Sequence, residues 1–114
     1  MNPMITLYTD SSPNGFKITI ALEELGLTYH LRHIKIDQGE NRSPAFLRLN
    51  PHGRIPVLVD ASNGITLFES AAILLYLADI TGRLLPVEPA KRWQAIQWLM
   101  FHAASVGPVM GQRV

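Results

Sequence analysis

Three short stretches of this chain hold side chains whose types and spacing could do chemistry. The first is the turn Ser11-Ser12-Pro13-Asn14-Gly15, which joins a strand-like run to a helix-like run. Ser12 before Pro13 is a good N-cap, and capping is one use for it. The other use is donation from the Ser12 hydroxyl or the Asn14 amide to an anion bound at the helix start. A thiolate is such an anion: a free thiol has a pKa of about 8.5, and a donor plus a helix N-terminus lowers it. The second stretch is Pro56, at the start of an interior strand, where a proline has no ladder hydrogen to give. An ordinary edge-strand proline is one solution. A cis bond after Ile55 is another, and it exposes the Ile55 N–H and C=O to an extended peptide laid alongside. The third is Glu69-Ser70, at a strand-to-helix junction. Free N–H groups and the Ser70 hydroxyl there suit a ligand carboxylate, and Glu69 suits a ligand ammonium. Together they grip an amino-acid head group, or they only cap the helix.

Other chemistries lack their residues. The 114 residues include no cysteine, so there is no disulfide framework, Cys-based zinc site or Cys nucleophile. His30 and His33 lie three apart on a strand-like run and face opposite sides, while His52 and His102 have no partner at ligand spacing, so no metal is expected. Gly15-Phe16-Lys17 lacks the glycine spacing of a phosphate loop. The chain is 47% hydrophobic and 17% charged, with a net charge of +1. Its charges are scattered, which predicts no nucleic-acid or membrane partner. The longest uncharged apolar stretch lies between Glu69 and Asp79, far short of the ~18 residues of a membrane span. With no signal-peptide pattern at the N-terminus, a cytoplasmic protein is expected.

The elements that must position these residues follow from periodicity. Strands are predicted at Met4–Tyr8, Thr28–Ile36, Ile55–Val59 and Ile65–Phe68. Helices are predicted at Phe16–Leu25, after Ser43-Pro44 as far as Asn50-Pro51, and at Glu69–Thr81. Asp37 to Arg42 is a polar loop, and Ser62-Asn63-Gly64 a hairpin turn. The order βαβαββα predicts an α/β, thioredoxin-like four-stranded mixed sheet with a right-handed crossover. That unit is expected over residues 1–83, with a linker over 84–89. Residues 90–114 are expected to begin an all-α C-terminal domain that is truncated here. Ala90 to Val106 reads as a helix, ended or kinked by Gly107-Pro108, and carries Trp93, Trp98 and Phe101 on several sides. A helix this apolar is normally buried, so a helical partner domain or another subunit is expected to cover it.

The three stretches, in this order, resemble the N-terminal domain of cytosolic glutathione transferases. Asn50-Pro51-His52-Gly53-Arg54-Ile55-Pro56 is similar to the family's Asn-Pro-x-Gly-x-Ile/Val-Pro segment, and Leu67-Phe68-Glu69-Ser70-Ala71-Ala72-Ile73 to its Glu-Ser segment. Ser12-Pro13-Asn14-Gly15-x-Lys17 resembles the Thr-Pro-Asn-Gly turn of the bacterial Nu-class, disulfide-reductase-like subgroup and its fungal nitrogen-regulator relatives. The resemblance covers residues 4 to about 112. It implies glutathione as cosubstrate, with the Ile55 backbone on its cysteinyl part beside a cis Pro56. Glu69 and Ser70 would hold the γ-glutamyl end, and Arg54 would lie near the glycyl or cysteinyl part. Asn14, with Ser12 as second donor, would face the sulfur. Tyr8 stands where other classes place an activating tyrosine, and is the alternative activator. The Asp37–Ser43 loop is about two residues short, and Asn41 is the nearest equivalent of a glutamine the subgroup places against glutathione.

Without cysteine, any thiol chemistry must use the sulfur of glutathione. The resemblance then implies either conjugation to a small electrophile or glutathione-dependent reduction of a disulfide or peroxide, in a homodimer. The Nu-like turn favours reduction. A non-catalytic glutathione-binding regulatory or scaffold module is the alternative, and a fragment that binds glutathione without substrate selectivity is a third reading.

Overall fold

The structure, a computed structural model, describes residues 3–106. Strand β1, Ile5–Thr9, alternates buried and half-buried positions, with Ile5, Leu7 and Thr9 turned inward. Helix α1, Pro13–Leu25, follows at once. It starts three residues before the predicted Phe16 because Ser12 caps it and Pro13 occupies its first turn, where a missing N–H is harmless. Gly26, at φ 68°, ends it. Strand β2, Tyr29–His33, is shorter than predicted. Ile36–Gln38 and Glu40–Arg42 form single 3₁₀ turns within the stretch predicted as strand end and loop. Helix α2, Pro44–Leu49, is capped by Ser43, whose hydroxyl accepts from the Phe46 amide. Strand β3, Val57–Asp60, begins only after Pro56, since a residue without an N–H cannot enter the ladder. Strand β4 is Ile65–Phe68 and helix α3 is Ser70–Thr81.

The strands form one mixed sheet in the order β2-β1-β3-β4. β1 runs parallel to β2 and antiparallel to β3, which is antiparallel to β4. This is the thioredoxin-like fold expected from the element order. Ile5, Leu7 and Leu58 from the sheet pack with Ile18, Leu22 and Leu25 of α1 and Ile73 and Leu77 of α3. β3 buries both Val57 and Leu58, as an interior strand covered on both faces must. The β3–β4 hairpin is tied to α3 through Asp60, which accepts from the Ser62 hydroxyl at 2.6 Å and from the Tyr76 hydroxyl.

Helix α4, Pro89–Phe101, continues as a single π-type turn over His102–Val106. Glu88 caps it, taking the Ala90 and Lys91 amides at 3.0 Å each. None of its residues is buried, and Trp93 and Trp98 are 67% and 63% exposed. Trp98 and Phe101 meet edge to face, with ring centroids 5.6 Å apart. The Gly107-Pro108 break lies outside the described residues.

Candidate functional site

Sheet register explains why stretches so far apart in sequence share one place. Tyr8 of β1 pairs with Val57 of β3, and Val57 pairs with Phe68 of β4. The turn after β1, the segment before β3 and the residues after β4 therefore leave the sheet at the same end of its strands. Ser12 and Asn14, Ile55 and Pro56, and Glu69 and Ser70 are brought together there.

In the first turn, Ser12 Oγ accepts from the Gly15 amide at 3.1 Å. An oxygen engaged as acceptor keeps its own hydrogen to donate, so capping and ligand contact do not compete at Ser12. Asn14 is half-buried, and its amide has no hydrogen-bond partner among the described residues. Gly15 is required by space: a Cβ on it would collide with Thr9 Oγ1 and come within 2.7 Å of the Asp10 carbonyl oxygen. Asp10 steadies the turn by accepting from the Ser11 amide at 2.8 Å, His33 at 2.7 Å and the Ile36 amide at 3.1 Å. The Ser11 amide first, then His33 and the Ile36 amide, hold its carboxyl below the usual range. Tyr8 is half-buried, and its hydroxyl has no hydrogen-bond partner among the described residues.

The second segment is held from beneath. Asn50 is 2% exposed, donates to the Arg54 carbonyl at 2.8 Å and accepts from the His52 amide at 3.0 Å. Asn41 donates to the Gly53 carbonyl at 2.9 Å. Its amide thus braces the loop that leads to Ile55, a role the sequence did not suggest. Arg54 is exposed. The Ile55–Pro56 bond is cis. Neither the N–H nor the C=O of Ile55 forms a hydrogen bond within the described residues.

At the third place, Glu69 has φ 75° and ψ 117°, and its side chain makes no capping bond. Its carbonyl begins the helix, accepting from the Ile73 amide at 3.0 Å. The carboxylate is left exposed beside the first turn of α3. Ser70 Oγ accepts from Lys17 Nζ at 3.5 Å, and Lys17 Nζ also lies 2.8 Å from His102 Nε2. Burial pushes the Lys17 ammonium below its ordinary pKa. Sequence reasoning gave Lys17 and His102 no part here. Lys17 follows Asn14 by three residues and so shares its helix face, which was a usable signal. His102 had none, because its contact spans 85 residues. No group of three His, Asp or Glu side chains among the described residues is arranged to hold a metal ion.

A profile described as Glutathione S-transferase, N-terminal domain, matches residues 3–79. The chain belongs to the glutathione S-transferase family. Among curated relatives of this transferase-family chain, the disulfide-bond oxidoreductase YfcG of Escherichia coli (strain K12) is 44% identical, over 96% of this chain and 53% of the relative. Glutathione S-transferase 1 of Schizosaccharomyces pombe (strain 972) is also 44% identical, over 88% of this chain and 46% of that protein. A glutathione transferase from Pseudomonas putida, crystallised with one glutathione disulfide per subunit, superposes with a TM-score of 0.90 at 43% identity. It is covered over 49% of its length by 95% of this chain. The chain thus spans about half the length of the relatives it matches, and within that half it is related to bacterial disulfide-oxidoreductase-like transferases.

Proposed function

We propose that this chain binds glutathione across the three strand–helix junctions and serves a Nu-like, glutathione-dependent disulfide-bond reductase or transferase. The observation that carries this reading is the placement of unengaged polar groups across one end of the sheet. The Asn14 amide, the Ile55 backbone pair and the Glu69 carboxylate lie in the order of a thiol, a peptide unit and an amino-acid head group. Glutathione supplies the reacting sulfur, and the chain carries no cysteine to compete with it.

The residues then divide the work. Asn14, with the free hydrogen of Ser12, donates to the thiolate sulfur and lowers the thiol pKa at the start of α1. Ile55 pairs with the cysteinyl unit as an added strand would. Glu69 takes the γ-glutamyl ammonium, and Ser70 with the N–H groups of α3 takes the carboxylate. Arg54 approaches the glycyl or cysteinyl part, and Asn41 keeps the loop beneath it in place. The names of the relatives YfcG and YghU, both disulfide-bond oxidoreductases, support reduction over conjugation. We assign residues 1–83 to the glutathione-binding domain, 84–89 to a linker and 90–114 to the start of an all-helical domain. The whole protein is proposed to act as a homodimer on a small disulfide or electrophile.

Calorimetric titration of glutathione and its disulfide, followed by a hydroxyethyl disulfide reduction assay, tests the reading. Asn14→Ala is expected to lower activity by about 10- to 100-fold, the worth of one hydrogen bond to a charged group, while Tyr8→Phe stays within about twofold. Absence of binding of either ligand to the unaltered chain overturns the proposal. An active Asn14→Ala beside a dead Tyr8→Phe moves the activating role to Tyr8. Binding without turnover favours the regulatory module.

A further inference from the structure

Lys17 is the point where three elements converge. Its stem rises from α1, its ammonium donates to Ser70 Oγ in the first turn of α3, and His102 reaches it from the turn that ends α4. An ammonium has only hydrogens to give. His102 Nε2, 2.8 Å away, must therefore accept, which places the proton of a neutral imidazole on Nδ1. Ser70 Oγ, at 3.5 Å, likewise accepts, so the Ser70 hydrogen is turned away from Lys17 and remains to be donated. No Asp or Glu among the described residues lies within ion-pair distance of the ammonium. A half-buried cation with only neutral partners is matched by a bound anion or left uncompensated. The adjacent residue, Glu69, presents an exposed carboxylate. The Lys17 ammonium of α1, beside Ser70, and the carboxylate of Glu69, next to Ser70 in the chain, form the complement of a zwitterionic α-amino-acid group.

We infer that Lys17 is a positioning residue for the α-carboxylate of the γ-glutamyl group, acting through Ser70 and held in place by His102. The inference rests on the glutathione reading above and adds to it the cation that distinguishes a γ-glutamyl head group from a plain amine. It also makes the end of α4 part of the site, since His102 fixes where the ammonium points. Removing His102 lets the lysine turn to solvent, where its charge is screened by water.

The test pairs glutathione with γ-aminobutyryl-cysteinylglycine, the same peptide lacking only that carboxylate. Affinities for both are measured by calorimetry on the unaltered chain, Lys17→Gln, Lys17→Met and Lys17→Arg. Glutathione is expected to bind Lys17→Gln and Lys17→Met about tenfold more weakly, the loss of one charge-assisted bond. The decarboxylated peptide should bind them as it binds the unaltered chain, and Lys17→Arg should recover most of the glutathione affinity. Equal losses for both peptides, or no loss for either, overturn the role of Lys17. If the unaltered chain binds neither peptide, the glutathione reading itself fails. Should the neutral Lys17 variants lose their circular dichroism signal, His102→Ala decides. Several-fold weaker binding of glutathione alone supports the inference, and unchanged binding overturns it.

Discussion

Glu69 occupies a backbone region that residues with a Cβ rarely adopt, at φ 75° and ψ 117°. Such a conformation costs about 1–3 kcal/mol and persists where surrounding structure dictates it. The Glu69 carbonyl is committed to α3 through Ile73, while the side chain caps nothing. A glutamate kept here, where glycine would be easier, points to a use for its carboxylate. Glu69→Gly is therefore expected to leave the thermal midpoint unchanged or raised, because relief of strain offsets the extra freedom of the unfolded glycine. The same change should weaken glutathione binding more than about tenfold, since it removes a charged partner of the ligand ammonium. A lower midpoint with intact binding is the contrary outcome. Ser12 shows the opposite economy, because one hydroxyl closes α1 and still keeps a hydrogen to donate.

The elements meet at the site through close backbone approaches. Gly15 lets the first turn of α1 press against the end of β1, where a Cβ would come within 2.7 Å of the Asp10 carbonyl and strike Thr9. Gly15→Ala should cost about 1–3 kcal/mol by overpacking, read in urea unfolding, and should weaken glutathione binding as Ser12 and Asn14 move with the helix. The hairpin side of the fold carries a pH signature. Burial raises the Asp60 carboxyl, but bonds from the Ser62 hydroxyl, Tyr76 and the Ser62 amide outweigh it and hold the carboxyl below its ordinary 3.8. Its contribution to stability is complete above that value and is lost as pH falls through the lower folded one. Burial, then the bond to Asp60, pushes Tyr76 above its ordinary 10.0. That contribution is complete below 10.0 and is lost as pH rises towards the folded value. Urea midpoints measured across pH should fall at both ends. Asp60→Asn should flatten the acid limb and Tyr76→Phe the alkaline one.

The whole molecule is shaped by what α4 leaves uncovered. The chain's two tryptophans, Trp93 and Trp98, both sit on that helix, so their fluorescence reports α4 alone. Side chains of this size, more than half exposed along one helix, are a surface that another structure normally covers. In dilute solution the emission should be that of solvated indole. Raising the concentration should shift it to the blue as molecules associate, with a matching change in elution from a sizing column. Trp98→Ser combined with Phe101→Ser should suppress both changes. A chain that stays monomeric and binds no apolar dye at any concentration contradicts this view of α4.

Element order, the turn residues and the three chemical stretches were legible in the sequence because each depends on neighbours in the chain. Alternation marked the strands, Ser12-Pro13 and Ser43-Pro44 marked helix starts, and Gly26 and Gly82 marked their ends. The lack of cysteine in these 114 residues left the chain itself without a thiol. Whether the Glu69 side chain caps α3 was a question the sequence posed and did not answer. The Glu69 carboxylate caps nothing, Asn41 braces the Gly53 carbonyl, and Lys17 lies between Ser70 and His102. These are outcomes of register and of helix-on-helix packing. Tyr8, Val57 and Phe68 come into one row only when the sheet forms. Contacts across 53 and 85 residues have no local signal, because no periodicity or turn preference constrains which side chains meet over such separations.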